Sequence, residues 1–201
     1  MLKMKLALAS AAVAMMVAGG VAAADMPKLG GGPTAGAGEV QVQILTNTAK
    51  GYQIGYPTGW QVVSGDGVDY VFVSPEGTAL CMANSGAVPD LANVPEDQLK
   101  AAMSQPLGEK FWDNTFFEGM ANKKYILVGA DPNHKGGWPV QTVVAQADID
   151  MEGKPLPATF AGLMTFKSAM AYQVMCFSPS PLFEQSKGSF AAIMDTFHIT
   201  K

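Results

Sequence analysis

The chain has 201 residues and a formal net charge of −4 at pH 7, and its 13 basic residues are all lysine. An acidic chain without arginine is a poor candidate for a nucleic-acid-binding protein, because phosphate recognition favours a positive surface and the bidentate guanidinium group. Its length suits a single domain with a hydrophobic core once an N-terminal targeting segment is set aside.

Residues 1–24 have the composition of a secretory signal peptide. A basic start precedes a long apolar stretch, which closes on three consecutive alanines before Asp25. An uncleaved membrane anchor is the alternative, but the small residues favour cleavage after Ala24. We therefore expect an exported bacterial protein, periplasmic or secreted, with no membrane span after cleavage.

Two further segments divide the mature chain. Residues 25–38 are rich in glycine and proline and have little to bury, which predicts a flexible tether. Residues 39–201 alternate between strand and helix patterns without a second composition break. They are expected to form one domain.

The first part of this domain has the period-two alternation of short antiparallel strands. We predict these strands at 39–45, 52–56, 68–74 and 78–84. The turn at 57–59 leads to Trp60, which begins a returning segment, so the strands are expected to form one meander. The tyrosines of the second strand and Trp60 are interpreted as core residues in preference to a platform for ligand stacking.

Two helices are predicted after a loop rich in proline and glycine. The first covers 96–105, with Pro95 at its start and carboxylates in its first turn. The second covers 109–120 and places four aromatic side chains on one broad face, namely Phe111, Trp112, Phe116 and Phe117. We interpret this face as core; the alternative is the lining of an apolar cleft.

The remainder of the chain completes an α+β pattern. Four strands are predicted at 124–130, 141–149, 158–167 and 171–177. A final helix follows and carries apolar residues from Phe183 to Phe197. Strands, then helices, then strands and a last helix predict a mainly antiparallel β-sheet with helices packed on it.

Segments at both ends of the domain resemble the PsbP-like family, which is named for a photosystem II extrinsic subunit. The first is Tyr52–Trp60, with the pattern aromatic-x-Ile-x-Tyr-Pro-x-Gly-Trp. The second is the strand Ala171–Phe177 followed by a helix that ends in Met-Asp-Thr-Phe at Phe197. The resemblance implies an α/β/α sandwich, a fold shared with a eukaryotic Ran-binding protein and with exported bacterial domains of unknown role. The calcium or manganese links of its photosynthetic members cannot be carried over to particular residues of this chain.

The two cysteines, Cys81 and Cys176, both lie in predicted strands. Export permits a disulfide between them, and we favour that bond over two buried thiols that never meet. The bond would tie the first half of the domain to its last strand. It would close a loop of roughly 95 residues, with a stabilisation of up to ~4.7 kcal/mol.

The sequence contains no recognisable catalytic set. His134 and His198 are its only histidines. His134 lies beside Asp131 in a loop that we expect to be exposed, and two ligands do not make a metal site. The carboxylates at 148, 150 and 152 are interpreted as a solvated hairpin tip, so we predict no metal, no cofactor and no catalytic residues.

These observations favour a non-enzymatic accessory or assembly factor that contacts an unidentified envelope protein. The candidate surface is the loop with His134, Lys135 and Trp138, because an exposed tryptophan beside glycines often anchors a protein contact. One alternative is a binder of a small apolar ligand between the 109–120 helix and the sheet. Another is a hydrolase whose site is not recognisable from sequence.

Overall fold

The structure is a computed structural model that describes residues 40–65, 67–151 and 153–201. The expected signal peptide (1–24) and tether (25–38) lie outside the described residues. The described residues form ten strands and three α-helices. The strands are β1 (Val42–Asn47), β2 (Tyr52–Pro57), β3 (Gln61–Gly65), β4 (Val68–Val73), β5 (Leu80–Ala87), β6 (Ala121–Asp131), β7 (Val140–Met151), β8 (Lys154–Lys167), β9 (Met170–Pro179) and β10 (His198–Ile199). The helices are α1 (Glu96–Met103), α2 (Glu109–Thr115) and α3 (Phe183–Thr196).

The strands form two sheets in which every pairing is antiparallel. The large sheet has seven strands in the order β3-β4-β5-β9-β8-β7-β6. The small sheet has three, in the order β1-β2-β10. The predicted α+β class with a mainly antiparallel sheet is therefore confirmed.

The predicted single meander through the first strands is wrong. β2 pairs with β1 and β10, whereas β3 lies at the edge of the large sheet and pairs with β4. The chain crosses between the sheets at the turn that follows Pro57, where Gly59 has a φ of +92°. The partner of β2 comes from the C-terminus, which a local strand pattern does not reveal.

The large sheet forms the middle layer because both of its faces are apolar. Along β5 the side chains alternate, with Leu80 and Met82 on one face and Cys81 and Ala83 on the other. The first face packs against α2 and the residues that follow it. The second face packs against α3 and the small sheet. This layering agrees with the α/β/α arrangement that the family resemblance implied.

The second helix is shorter than the prediction of 109–120. α2 ends at Thr115, and Phe116 leaves the helical region with φ −131°. The amide nitrogens of Phe116 and Phe117 both donate to the Trp112 carbonyl, and Gly119 with φ +81° completes the turn. Phe116 and Phe117 can be buried from a helix or from a turn. The aromatic pattern therefore did not show where the helix ends.

The hairpin of β7 and β8 is longer than predicted, and β8 contains Pro155 and Pro157. A proline cannot donate to a strand ladder, which predicts a turn at this position. β8 pairs with β9 only from Ala158 onward, so both prolines precede that pairing. On that side of β8 the proline nitrogens face no partner strand among the described residues. The two prolines are tolerated because this part of β8 is paired on one side only.

Candidate interaction surface

The loop between β6 and β7, residues 132–139, is attached to the C-terminal segment by His134. The Nε2 atom of His134 lies 3.0 Å from the carbonyl oxygen of Phe197, and Nδ1 lies 3.2 Å from Oδ2 of Asp131. The side chain is only 9% exposed, so the prediction of a solvated His134 is wrong. The imidazole is buried because its two nitrogens find oxygen partners within the fold.

The glycines of this loop are required for its conformation. Gly136 and Gly137 adopt φ values of +88° and +73°, which favour glycine. A Cβ atom at Gly136 would lie 2.9 Å from Cβ of His198. The Gly137 amide donates to the His134 carbonyl at 2.8 Å, which closes a turn. The loop is therefore held in a defined shape, with Lys135 exposed at its tip.

Trp138 is half-buried at the base of the loop. Its indole Nε1–H donates to the Phe166 carbonyl oxygen at 2.9 Å, which fixes the orientation of the ring. The hydrogen bond satisfies the polar atom of the indole while part of the ring stays accessible. Trp138 is thus a fixed aromatic group at the surface.

Two lysines lie over the Trp138 ring. Nζ of Lys167 is 5.1 Å from the ring centroid, and Nζ of Lys100 is 5.9 Å away, both within the range of a cation–π contact. Lys100 comes from α1 and Lys167 from the end of β8. The sequence did not indicate either residue, because only the fold brings α1 and β8 next to the loop.

The aromatic residues of α2 and the following turn are packed against the large sheet. Trp112 and Phe117 are fully buried, and Phe116 is 7% exposed. The ring of Phe117 contacts Phe160 at 5.3 Å between centroids, in an edge-on geometry that aromatic pairs prefer. Phe111 is less buried and contacts Phe166. These residues occupy the core position that we preferred from the sequence.

Asp113 connects α2 to the edge strand β6. Its Oδ1 atom accepts a hydrogen bond from Nζ of Lys123 at 2.7 Å and another from the Tyr125 hydroxyl at 2.8 Å. The bond from Lys123 is the main influence that holds the pKa of Asp113 below 3.8, and the Tyr125 bond adds to it. Burial and the Asp113 carboxylate raise the pKa of Tyr125. The cluster is a structural link between a helix and a strand.

The two family-like motifs meet in space. The Gly55 amide in β2 donates to Oγ1 of Thr196 at the end of α3, at 2.8 Å. Tyr52 contacts Phe197 with 5.8 Å between ring centroids. The opening strand and the closing helix are therefore two sides of one packing unit. Their residues define how α3 and the small sheet fit together.

Tyr52 also makes a hydrogen bond to a partly buried carboxylate. Its hydroxyl donates to Oδ2 of Asp69 at 3.0 Å, and the Ser85 hydroxyl donates to the same oxygen at 2.6 Å. Burial raises the pKa of Tyr52, and the adjacent Asp69 charge raises it further. A neutral tyrosine and a serine that both donate to one carboxylate form a structural hydrogen-bond group.

Cys81 and Cys176 are joined by a disulfide. The two residues lie directly opposite each other in the pairing of β5 with β9, and both are fully buried. The bond spans 95 residues of sequence and links the first half of the domain to the last strand of the large sheet. It lies on the face that packs against α3.

The hairpin carboxylates serve the turn that contains them. Oδ2 of Asp148 accepts a hydrogen bond from the Asn122 side chain at 2.6 Å, and Oδ1 of Asp150 accepts one from the Gly153 amide at 2.7 Å. Position 152 lies outside the described residues. Among residues 40–65, 67–151 and 153–201, no three His, Cys, Asp or Glu side chains are grouped so that they could hold a metal ion. No helix within these ranges has the length and apolar character needed to cross a membrane.

Comparison with solved structures identifies the fold. Cyanobacterial PsbP (CyanoP) from Synechocystis sp. PCC 6803 aligns with a TM-score of 0.52 at 17% identity, over 84% of this chain and 98% of that chain. The Ran-binding protein Mog1p of Saccharomyces cerevisiae aligns with a TM-score of 0.50 at 9% identity, over 81% and 97%. No family model and no curated protein matches the chain. Likeness at this level of identity concerns architecture, so we conclude that the chain has the PsbP-like fold that its two motifs indicated.

Proposed function

We propose that this chain is an exported, non-catalytic accessory protein that binds a protein partner through the surface around Trp138. The observation that supports this most directly is the state of Trp138 itself. Its ring is only partly buried, yet the hydrogen bond to the Phe166 carbonyl holds it in one orientation. A large aromatic side chain that is already ordered loses little conformational entropy when a partner covers it.

The loop beside Trp138 adds to this preorganisation. His134 connects the loop to Phe197, and Asp131 contacts the same ring. Lys135 extends from the tip into solvent. A fixed loop with an exposed tip and an aromatic base is a common form of protein contact surface, since binding requires little reorganisation.

The contacts of His134 support a structural role for this histidine. Both of its ring nitrogens face partners within the fold. A general base needs a nitrogen that is free to take a proton from a substrate or nucleophile. The Ran-binding protein Mog1p, which has this fold, is an example of its use in protein contact. This parallel is an analogy of fold.

Export is supported by two independent features. Residues 1–24 have the pattern of a signal peptide, and the disulfide between Cys81 and Cys176 is of a kind that persists in oxidising compartments. Together they favour the periplasm or the cell exterior as the place where the partner is met.

The test is site-specific photo-crosslinking in the producing cell. We expect a photoreactive residue at Lys135 to form a covalent adduct with one defined protein. The matched control is the same photoreactive residue in place of Lys154. Lys154 is also exposed, but it begins β8 and lies at the opposite end of that strand from Lys167. An adduct from Lys135 and none from Lys154 supports the proposal, whereas no adduct from Lys135 contradicts it.

A substitution of Trp138 separates contact from folding. We expect Trp138→Ala to abolish the Lys135 adduct while the protein keeps a cooperative thermal transition. Loss of the folded state in Trp138→Ala would show that the ring is needed as core. In that case Lys135→Glu, which changes only an exposed side chain, tests the same surface with the photoreactive residue moved to Asn133, which is also exposed in this loop. An unchanged adduct yield in that variant would contradict the proposal.

The apolar-ligand alternative is supported by a different observation. Within the described part of the chain, Trp112 Nε1 and Gln173 Nε2 are buried without a hydrogen-bond partner. Gln173 lies on the sheet face that packs against α2, and Trp112 belongs to α2. Buried donors of this kind are uncommon and can donate a hydrogen bond to an oxygen of a ligand or of a water molecule. Native mass spectrometry of the mature protein from its own cells tests this, because a copurified mass of a few hundred daltons would favour the ligand reading.

A further inference from the structure

We infer that the partner segment bound at Trp138 is acidic, and that its carboxylates bind between Lys100 and Lys167. This inference rests on the function proposed above and assigns the chemical class of the partner. The two ammonium groups lie 5.9 Å and 5.1 Å from the centroid of one indole ring. Two like charges over one aromatic ring form a site that a carboxylate can bridge.

Lys100 lacks the partner that its sequence position would normally provide. Glu96 lies four residues earlier in α1, which is the favourable spacing for an ion pair along a helix. The Glu96 carboxylate instead accepts a hydrogen bond from the Ser168 hydroxyl at 2.6 Å. In the described part of the chain Lys100 forms no ion pair, so its charge is available to a partner. Nζ of Lys167 donates to the main-chain oxygen of Lys201, so an incoming carboxylate would share or displace that contact.

The positive surface extends beyond these two lysines. We call it the basic ridge, and it consists of Lys50, Lys100, Lys135, Lys167 and Lys201. Nζ of Lys167 donates to the main-chain oxygen of Lys201, and Nζ of Lys201 lies 3.5 Å from the carbonyl oxygen of Ala49, next to Lys50. The nearby carboxylates are Glu96, which contacts Ser168, and Asp131, which contacts His134. Five of the ten lysines in the described ranges thus lie along one end of an acidic protein.

The chemistry of the ridge favours an acidic protein segment over an anionic membrane. The whole chain has a formal net charge of −4, which opposes approach to an extended anionic surface. A short acidic segment, in contrast, interacts with the local field of the ridge within roughly one Debye length, about 8 Å at physiological salt. The Trp138 ring is also held by the Phe166 carbonyl, so it is not free to insert into a lipid interface.

The experiment is an NMR titration of the ¹⁵N-labelled mature protein with an acetylated Glu-Glu-Gly-Glu-Glu peptide. The indole N–H groups of Trp60, Trp112 and Trp138 give three signals, so a change at each tryptophan can be followed by itself. We expect the Trp138 signal to shift, and the fitted affinity to fall roughly tenfold between low salt and about 0.3 M NaCl. The matched Gln-Gln-Gly-Gln-Gln peptide is expected to leave all three signals unchanged.

Charge variants test the location. We expect the double variant K100Q/K167Q to weaken binding of the acidic peptide at least about tenfold, since both bridging ammonium groups are lost. The control is K124Q/K154Q, which makes the same charge change away from Trp138. Lys154 lies at the other end of β8 from Lys167, roughly 40 Å along the strand, and Lys124 lies in β6 at the level of Thr159, roughly 26 Å along β8 from Lys167. Equal loss of binding in both variants would show a general charge effect and overturn the site.

Two further outcomes separate this inference from the proposed function. If Lys135 crosslinks to a partner but K100Q/K167Q leaves the adduct yield unchanged, the contact surface stands and its acidic partner class is wrong. Binding to vesicles of phosphatidylglycerol with no Trp138 shift by the peptide would also overturn the inference, in favour of a membrane surface. A Trp138 shift that needs Lys100 and Lys167 supports it.

Discussion

Gly55 and Thr196 show how single residues of the two family-like motifs determine packing. The Gly55 amide donates to the Thr196 hydroxyl, and the same hydroxyl donates to main-chain oxygens at the end of α3. A Cβ atom at Gly55 would lie 2.8 Å from Oγ1 of Thr196. Glycine is thus required here by close approach of α3 to β2. The motif carries information about the fold and none about chemistry.

We therefore predict that Gly55→Ala destabilises the protein by about 1–3 kcal/mol, the usual cost of overpacking a tight contact. The measurement is the free energy of unfolding in urea. Gly86→Ala is the matched control, because Gly86 also lies in a strand and an added Cβ would meet nothing within 4 Å. A loss in Gly55→Ala no larger than that in Gly86→Ala would refute the contact.

At the scale of elements, the link between α2 and β6 depends on Asp113. The carboxylate is hydrogen-bonded to Lys123 and Tyr125, and these bonds hold its pKa below 3.8. Its contribution to stability is therefore fully present above its ordinary pKa and is lost as the pH falls through the lowered value. The side chains of Lys123 and Asp113 are 29% and 38% exposed, so solvent screening keeps the contribution small.

The corresponding prediction concerns acid stability. Asp113→Asn should flatten the fall of the melting temperature between about pH 5 and pH 2, because the amide has no proton to gain. Asp97→Asn on α1 serves as the control, since Asp97 is exposed and forms no ion pair among the described residues. Parallel pH curves for Asp113→Asn and the unaltered protein would show that the link contributes nothing.

At the scale of the whole molecule, the Cys81–Cys176 bond joins two neighbouring strands in the centre of the large sheet, and the two cysteines are 95 residues apart in sequence. β5 and β9 pair over Leu80–Ala87, so the bond strengthens a contact that is already made by the sheet. Its main effect is to restrict the unfolded chain, which it closes into a loop.

We predict that the double variant Cys81→Ser/Cys176→Ser folds with its sheet intact but loses about 2–5 kcal/mol of stability. The measurement is the free energy of unfolding in urea, compared between the oxidised protein and the variant. Thiol titration of the denatured, natively exported protein provides an independent check. Two free thiols in that titration would show that the bond does not form in the cell.

The sequence by itself predicted the three α-helices and eight of the ten described strands in their order, because period-two alternation and helix-start signals are local. It gave β3 only as a returning segment after Trp60 and did not predict the two-residue strand β10. It also favoured a core position for the 111–117 aromatics, of which Trp112, Phe116 and Phe117 are buried, and it placed the cysteines in strands that can meet. The prediction of a solvated His134 was wrong. A loop rich in glycine and proline indicates exposure to solvent, and this local pattern does not reveal that the Phe197 carbonyl lies close to the imidazole. The sequence also predicted β2 and β3 in one meander. In the structure β2 pairs with β10, and that pairing depends on residues at the other end of the chain.

The tertiary structure alone decided what surrounds Trp138. The loop pattern identified the tryptophan, but Lys100 and Lys167 reach it from a helix and a strand that are distant in sequence. Charge at a surface is a sum over groups close in space, and no sequence spacing encodes that sum. Fold class follows from local periodicity, whereas a binding surface depends on long-range contacts, which is why the sequence specified the first and only the folded chain specified the second.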